Sequence, residues 1–330
     1  LKGVYDRNLQ YKFVVTGSGS LELKEKIHES LAGRKRMFEI STLTLEEFVN
    51  YKTDYQYEGK LSDFFRIDEH FSSQLMKEYL LWGGYPRVVL AQKESDKIAI
   101  LDDIYHSYLE KDIKQLLGIV KSEEFTKLLM ILADQIGRVA NVSEISSTLG
   151  VDRNTTKRYL WFLKKTFIVD EVRPFYKNLR KELTKRSIFY FNDLGMRNYI
   201  LNRLHQKNLE TDGGFLFQNL VYFFLKRFAS TQSAKVNYWR TQDGAEVDFV
   251  INSGSGVWPV EVKYSKLKDI KKTRSMSSFV EAYDPKKMTV VNLNLNSTKN
   301  VGGVDFEAKT LFNLFQVAKE GGDTFGPGTV

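Results

Sequence analysis

The stretch Ala245-Glu246-Val247-Asp248-Phe249-Val250-Ile251-Asn252-Ser253-Gly254-Ser255-Gly256-Val257-Trp258-Pro259-Val260-Glu261-Val262-Lys263 decides how this chain is read. Two β-branched, apolar runs, Glu246–Ile251 and Val257–Val262, flank the turn Ser253-Gly254-Ser255-Gly256, which predicts a hairpin. Side chains alternate along a strand, so Glu261 and Lys263 share a face, and the partner strand can set Asp248 beside them. Two carboxylates and a lysine would then converge. Two acidic oxygens are what Mg²⁺ or Mn²⁺ asks of a protein, the other ligands being water and phosphate oxygens. The lysine would orient or activate the attacking water and offset charge on the phosphate. The same letters also describe charges alternating on a half-exposed strand.

Outward from the hairpin, helix Phe215–Phe228 and strand Val236–Arg240 precede it, and helix Lys268–Tyr283 and strand Met288–Leu293 follow. A mixed α/β domain is expected. Upstream, Ser143–Leu149 and Arg153–Phe167 read as two helices separated by Gly150-Val151-Asp152, with Val142, Ile145, Leu149 and Val151 facing a core. This is helix-turn-helix spacing. Ile168–Pro174 and Ser187–Phe191 would supply the hairpin of a winged helix, with the basic Lys177–Arg186 segment between them. Helical periodicity covers Leu43–Tyr51, Phe71–Trp82, Ile98–Leu117 and Glu123–Ile136, the second ended by Gly83-Gly84-Tyr85-Pro86. At the start, strand Tyr11–Val15 runs into Thr16-Gly17-Ser18-Gly19-Ser20, followed by helix Leu21–Leu31 and strand Arg36–Ile40.

Of 330 residues, 49 are Lys or Arg and 41 Asp or Glu, a net +8. Val151–Tyr190 alone carries 11 of the cations against four acids, +7 of the total. A basic face of this kind fits phosphate contacts, and a solvated surface has the same composition. Arg153, Asn154, Lys157 and Arg158, in the first half of the second helix, are the residues expected to meet double-stranded DNA. Trp161 in the same helix is expected to be buried. Trp239-Arg240 is expected to approach a phosphate or stack on a base.

The chain has no cysteine, which excludes disulfides, thiolate zinc sites, iron–sulfur clusters and a cysteine nucleophile, and is compatible with a reducing cytoplasm. No apolar run reaches the ~18 residues of a membrane span, so no membrane partner is expected and a cytoplasmic location is. Four histidines are scattered; Asp102 and His106 stand at i, i+4 without a third ligand nearby in sequence. The opening Leu-Lys-Gly, without methionine, suggests a piece of a longer chain.

The helix with Gln218, the Asp248 strand and the Glu261-Val262-Lys263 strand together resemble the PD-(D/E)XK nuclease superfamily. The resemblance implies metal ligands at Asp248 and Glu261, and a catalytic lysine at Lys263. Gln218 stands where such families commonly place Glu; it offers a carbonyl oxygen but no charge. Either metal-dependent phosphodiester hydrolysis or a noncatalytic nucleic-acid- or protein-binding module fits this pattern.

A second resemblance covers about Leu1 to Leu293. It rests on Thr16-Gly17-Ser18, Leu31-Ala32-Gly33-Arg34, Ser41-Thr42-Leu43-Thr44-Leu45-Glu46-Glu47-Phe48, Gly83-Gly84-Tyr85-Pro86, Lys111-Asp112-Ile113, Tyr190-Phe191-Asn192-Asp193-Leu194-Gly195 and Tyr238-Trp239-Arg240-Thr241, in that order. These are similar to a bacterial and archaeal family of AAA-type ATPases with a C-terminal winged helix and a nuclease-like domain. It implies γ-phosphate sensing by Thr16 with Ser18 beside it, and a phosphate-reaching arginine at Arg34, in cis or from a neighbouring subunit through self-association of the ATPase domain. No G-x-x-x-x-G-K-[ST] loop or paired acids after an apolar strand occur here. ATP is therefore expected as a ligand of the full-length parent only.

The expected architecture is α/β and multidomain: residues 1–60 a remnant of an AAA-type α/β ATPase domain, 61–122 a helical linker, 123–186 a winged helix-turn-helix, 187–318 a PD-(D/E)XK nuclease-like domain, and 319–330 a flexible tail.

Overall fold

The computed structural model describes residues 14, 38–108, 122–176, 182, 185–254 and 256–314. Thr16, Ser18, Arg34, Lys111-Asp112-Ile113, most of Lys177–Arg186, the strand and helix expected before residue 32, and the tail lie outside them. Phe38, Glu39 and Ile40, expected to end a strand, are exposed and in no strand.

The first helix, α1 (Leu45–Lys52), starts at a capping box in which Glu47 N donates to Thr44 Oγ1 at 3.2 Å and Thr44 N to Glu47 Oε2 at 2.8 Å. Helix α2 (Leu61–Ile67) follows, and Asp68 then caps α3 (Glu69–Trp82) by accepting from Phe71 N at 2.9 Å. The helix ends at Gly83, as its sequence predicts. Pro86 opens the short α4 (Pro86–Leu90), and α5 (Glu94–Ser107) closes this part. Next come α6 (Ser122–Asp134), α7 (Val142–Leu149) and α8 (Arg153–Lys165). Gly150 ends α7 in the left-handed conformation, and Asp152 caps α8 through Asn154 N and Thr155 N. Ile145 and Leu149 of α7 and Tyr159, Leu160 and Leu163 of α8 are buried together.

Two short strands, β1 (Val169–Val172) and β2 (Ile188–Phe191), pair antiparallel, and Val139 bridges to Ile188 from the other side. Helix α9 (Leu194–Ile200), which the periodicity does not announce, leads to the long α10 (Asn208–Thr231). Then follow β3 (Lys235–Arg240), β4 (Glu246–Asn252), β5 (Val257–Val262), α11 (Arg274–Tyr283), β6 (Lys287–Asn292), β7 (Ser297–Val301) and β8 (Val304–Thr310). Among the described residues these six strands form one sheet in the order β3-β4-β5-β6-β8-β7, parallel at β5/β6 and β6/β8 and antiparallel elsewhere. The expected helix Lys268–Tyr283 begins later, because Thr273 caps it by accepting from Met276 N.

The sheet is buried on both faces. Leu216, Leu220 and Phe228 of α10 pack with Phe249, Trp258 and Val260 in a core that continues through α8, α6 and α3 to α1. On the opposite face Phe279 and Met276 of α11 pack with Trp239, Val247, Val250 and Met288. Three separated motifs meet at one point: Leu43 N donates to Gly84 O at 2.8 Å, and Gly84 N to Asp193 Oδ2 at 2.8 Å. The α3 terminus abuts α9 so closely that a β-carbon on Gly195 would stand 2.0 Å from Trp82 O.

Candidate functional site

The side chains singled out in the hairpin do come together, through a device the alternation pattern does not contain. Asn237 pairs with Val250 and Trp239 with Val247, so two steps along β3 match three along β4. This bulge adds a residue within the interval that holds Asp248, and bulges re-aim side chains in this way. The β4/β5 ladder runs from Asn252↔Val257 to Phe249↔Val260. Just beyond it Val262 N donates to Asp248 Oδ2 at 2.7 Å, and Gln218 Nε2 on α10 donates to Asp248 Oδ1 at 2.6 Å. Lys263 Nζ donates to Glu261 Oε1 at 2.7 Å, with the Glu261 side chain 12% and that of Lys263 45% exposed.

Burial and the neighbouring Glu261 carboxylate push the Asp248 carboxyl well above the ordinary carboxylate range. Burial alone would depress Lys263, but Glu261 beside it outweighs that and raises the ammonium above its usual value. Beneath the cluster, burial and the Asp248 charge raise the Tyr190 phenol.

Neighbours that sequence reasoning did not single out close the cluster. Gly137, in the turn after α6 at φ +72°, lies so near Gln218 that a β-carbon there would stand 2.3 Å from Oε1. That oxygen is buried and has no hydrogen-bond donor among the described residues. The Arg138 guanidinium lies 4.8 Å from the centre of the Phe215 ring, one turn before Gln218. The readable signal was the glycine itself, Gly137 directly after an apolar helical stretch, where a left-handed residue commonly ends a helix.

Asp248 and Glu261, with the Gln218 side-chain oxygen, are the residues that would hold Mg²⁺ or Mn²⁺, but in this arrangement they are turned to protein partners. Both Asp248 oxygens are taken by N–H donors, Gln218 turns its amide nitrogen and not its oxygen to the carboxylate, and Glu261 is paired with Lys263. Reversing the Gln218 amide would set two oxygens together unless Asp248 held a proton. Among the described residues no three His, Asp or Glu side chains gather as a cation site.

The basic face is simpler. Arg153, Asn154, Lys157 and Arg158 are all exposed on α8, whose Thr156, Tyr159, Leu160, Phe162 and Leu163 are buried. Two aromatic expectations are corrected. Trp161 is 39% exposed because its phase on the helix is that of Arg153 and Lys157, eight and four residues earlier. Trp239 is 5% exposed, held edge-on by Phe279 at 5.2 Å, so its ring cannot stack on a base. Asp102 accepts from the Tyr199 hydroxyl and lies 3.3 Å from His106 Nε2, with no third metal-binding group beside them among the described residues. Among the described residues no helix is long and apolar enough to cross a membrane.

Comparison with known proteins divides the chain in three. Residues 1–49 match a model described as "AAA domain", 73–207 a "Domain of unknown function (DUF8612)" and 213–306 a "Domain of unknown function (DUF4143)". An uncharacterized protein of Mycobacterium tuberculosis is 26% identical over 270 residues, 81% of this chain and 55% of its own length. One from Haemophilus influenzae is 25% identical over 257 residues, 76% of this chain and 58% of its own. One from Methanocaldococcus jannaschii is 24% identical over 304 residues, 88% of this chain and 64% of its own. The chain thus spans between about half and two thirds of the relatives it matches, and its first 49 residues are similar to an AAA domain.

Proposed function

We propose that this chain is a DNA-binding part of an AAA-type ATPase, with duplex DNA held against α8 and the nuclease-like sheet serving as a noncatalytic binding body. The observation that carries it is the solvent face of α8, where Arg153, Asn154, Lys157 and Arg158 stand free of the core. The order α6, Val139 bridge, α7, α8, β1, β2 supports a winged helix, and α10, β3–β5, α11, β6 supports a PD-(D/E)XK-like core. ATP, as a ligand of the full-length parent only, and self-association through the ATPase domain belong to the same proposal, with Thr16, Ser18 and Arg34 proposed to sense the phosphates there.

Duplex affinity measured against salt tests the proposal. Each phosphate contact contributes about −0.9 to the logarithmic slope, so replacing Arg153, Lys157 and Arg158 together by Ala is expected to flatten it by about three. Absence of duplex binding at low salt would overturn it.

A second reading, metal-dependent phosphodiester hydrolysis through Asp248, Glu261 and Lys263, is favoured by the approach of the two carboxylates. It predicts Mg²⁺- or Mn²⁺-dependent cleavage that vanishes in Asp248→Asn and Lys263→Ala, and metal binding that improves in Gln218→Glu. The noncatalytic reading expects no cleavage attributable to these residues.

A further inference from the structure

We infer that α8 binds a junction between duplex and single-stranded DNA, with Trp161 as the platform for an unpaired base; this rests on the DNA-binding reading above. Trp161 is the aromatic member of a stripe, Arg153, Lys157, Trp161 and Lys165, spaced four residues apart and all exposed. The Lys165 ammonium lies 5.7 Å from the centre of the indole, and Phe162 supports the ring edge-on at 4.9 Å. No acid occurs within α8, and the Asp152 carboxylate at its start is occupied by the first-turn N–H groups and the Thr155 hydroxyl. The stripe is therefore complementary to a polyanion along its whole length.

Geometry separates the two ends of the stripe. Eight residues of helix span about 12 Å, so when Arg153 and Asn154 enter a major groove about 12 Å wide, Trp161 stands near its rim. An indole at the rim cannot reach the face of a base stacked inside the duplex. It can stack on a base that has left the stack, and Lys165 then faces the phosphate of that nucleotide. Base–aromatic stacking is indifferent to sequence, so the preference is for an unpaired base and not for a motif.

Trp161 also supplies the measurement. The chain has four tryptophans, and Trp82, Trp239 and Trp258 are 5%, 5% and 3% exposed, so quenching by DNA reports on Trp161. The intact chain is titrated with a blunt duplex, the same duplex carrying a short thymine overhang, and the overhang strand alone. The overhang duplex is expected to bind roughly tenfold more tightly than the blunt one, the size of one base stack, and to quench fluorescence more. Trp161→Ala is expected to abolish that preference and leave the blunt-duplex affinity and its salt slope unchanged; Trp161→Phe keeps most of it. An overhang preference that survives Trp161→Ala, or equal binding of both duplexes by the unaltered chain, overturns the junction inference and leaves the duplex reading standing. Failure to bind any of the probes overturns both.

Discussion

Gly137 joins the helical part of the molecule to the carboxylate cluster through a contact that no other residue allows. Its φ of +72° is costly for any side chain, and a β-carbon would collide with Gln218 Oε1 at 2.3 Å and crowd Phe215 at 3.0 Å. Gln218 cannot swing aside without releasing Asp248. Gly137→Ala is expected to lower stability by about 1–3 kcal/mol in urea unfolding; in a Gln218→Ala background, where the collision is gone, the same substitution should cost only the backbone strain, about 1 kcal/mol. Asp193 carries a pH effect. Burial pushes its carboxyl up to about 6, although the N–H groups of Gly84, Met196 and Gly195 oppose this. The folded state therefore holds the proton more tightly than an unfolded chain with a carboxyl near ~3.9. The stability it contributes is whole below about pH 4 and is lost as pH rises through 6, by about 3 kcal/mol. Asp193→Asn should remove this slope, which the difference in urea midpoint between the two proteins at pH 4 and pH 7 measures; a difference independent of pH would refute the shift. At this scale the sequence was partly legible. Asp248, Glu261 and Lys263 could be named because their types and spacing carry chemistry, whereas the bulge that aims Asp248 leaves no mark in the letters. Trp161 was misread from its type, though its phase with Lys157 placed it outside the core.

Elements were legible where burial imposes a period. Helices α7 and α8, the Gly83 stop and strands β3 to β6 stand close to their expected bounds because one or both faces enter a core. Strand β7 has no such signature: Thr298, Lys299, Asn300 and Val301 are all exposed, and the strand exists through its pairing with β8. Strand β8 does alternate, with Val304, Phe306 and Ala308 buried, so that its period was there to be read. The joint between β2 and α10 has no periodic signal either. Asn219 is fully buried in α10, and its side chain accepts from Phe191 N at 2.9 Å and donates to Phe191 O at 3.0 Å, completing the edge of β2 as a neighbouring strand would. Asn219→Ala leaves two buried backbone groups without partners, and a loss of about 2–4 kcal/mol is expected by thermal or urea unfolding. Asn219→Asp keeps an acceptor for Phe191 N but sets an oxygen against Phe191 O, so it should not rescue. A loss well below 1 kcal/mol in Asn219→Ala would mean that water reaches this edge.

Across the whole molecule, the polar contacts cross the divisions that motifs suggest. Arg197 on α9 is 1% exposed; its Nε donates to Ala133 O at 2.8 Å, just before the end of α6, and its Nη1 donates to Asp212 Oδ2 on α10 at 2.7 Å. Arg203 bridges the same Asp212 to Asp134 on α6, and Asn198 donates to Leu80 O and Leu81 O on α3. Four helices from three separate stretches of the sequence are thereby tied at one place, beside a hydrophobic core that runs from α1 to Leu311–Leu314, just after β8. Such a body should unfold cooperatively. The buried tryptophans give the test, because Trp82, Trp239 and Trp258 lie in three different hydrophobic clusters. Proteins that keep only one of these three at a time, the other two and Trp161 replaced by Phe, are expected to show coincident urea transitions, matching the loss of helix by circular dichroism. Arg197→Ala, which strips a buried charge pair of one partner, is expected to move all three transitions down together, by about 3–5 kcal/mol less whatever Arg203 restores to Asp212. If Trp239 and Trp258, which share the sheet, kept their midpoints while that of Trp82 moved, the sheet and α11 would be a separately folding unit, and the contacts at Gly137 and Asn219 would be too weak to couple it to the helical part.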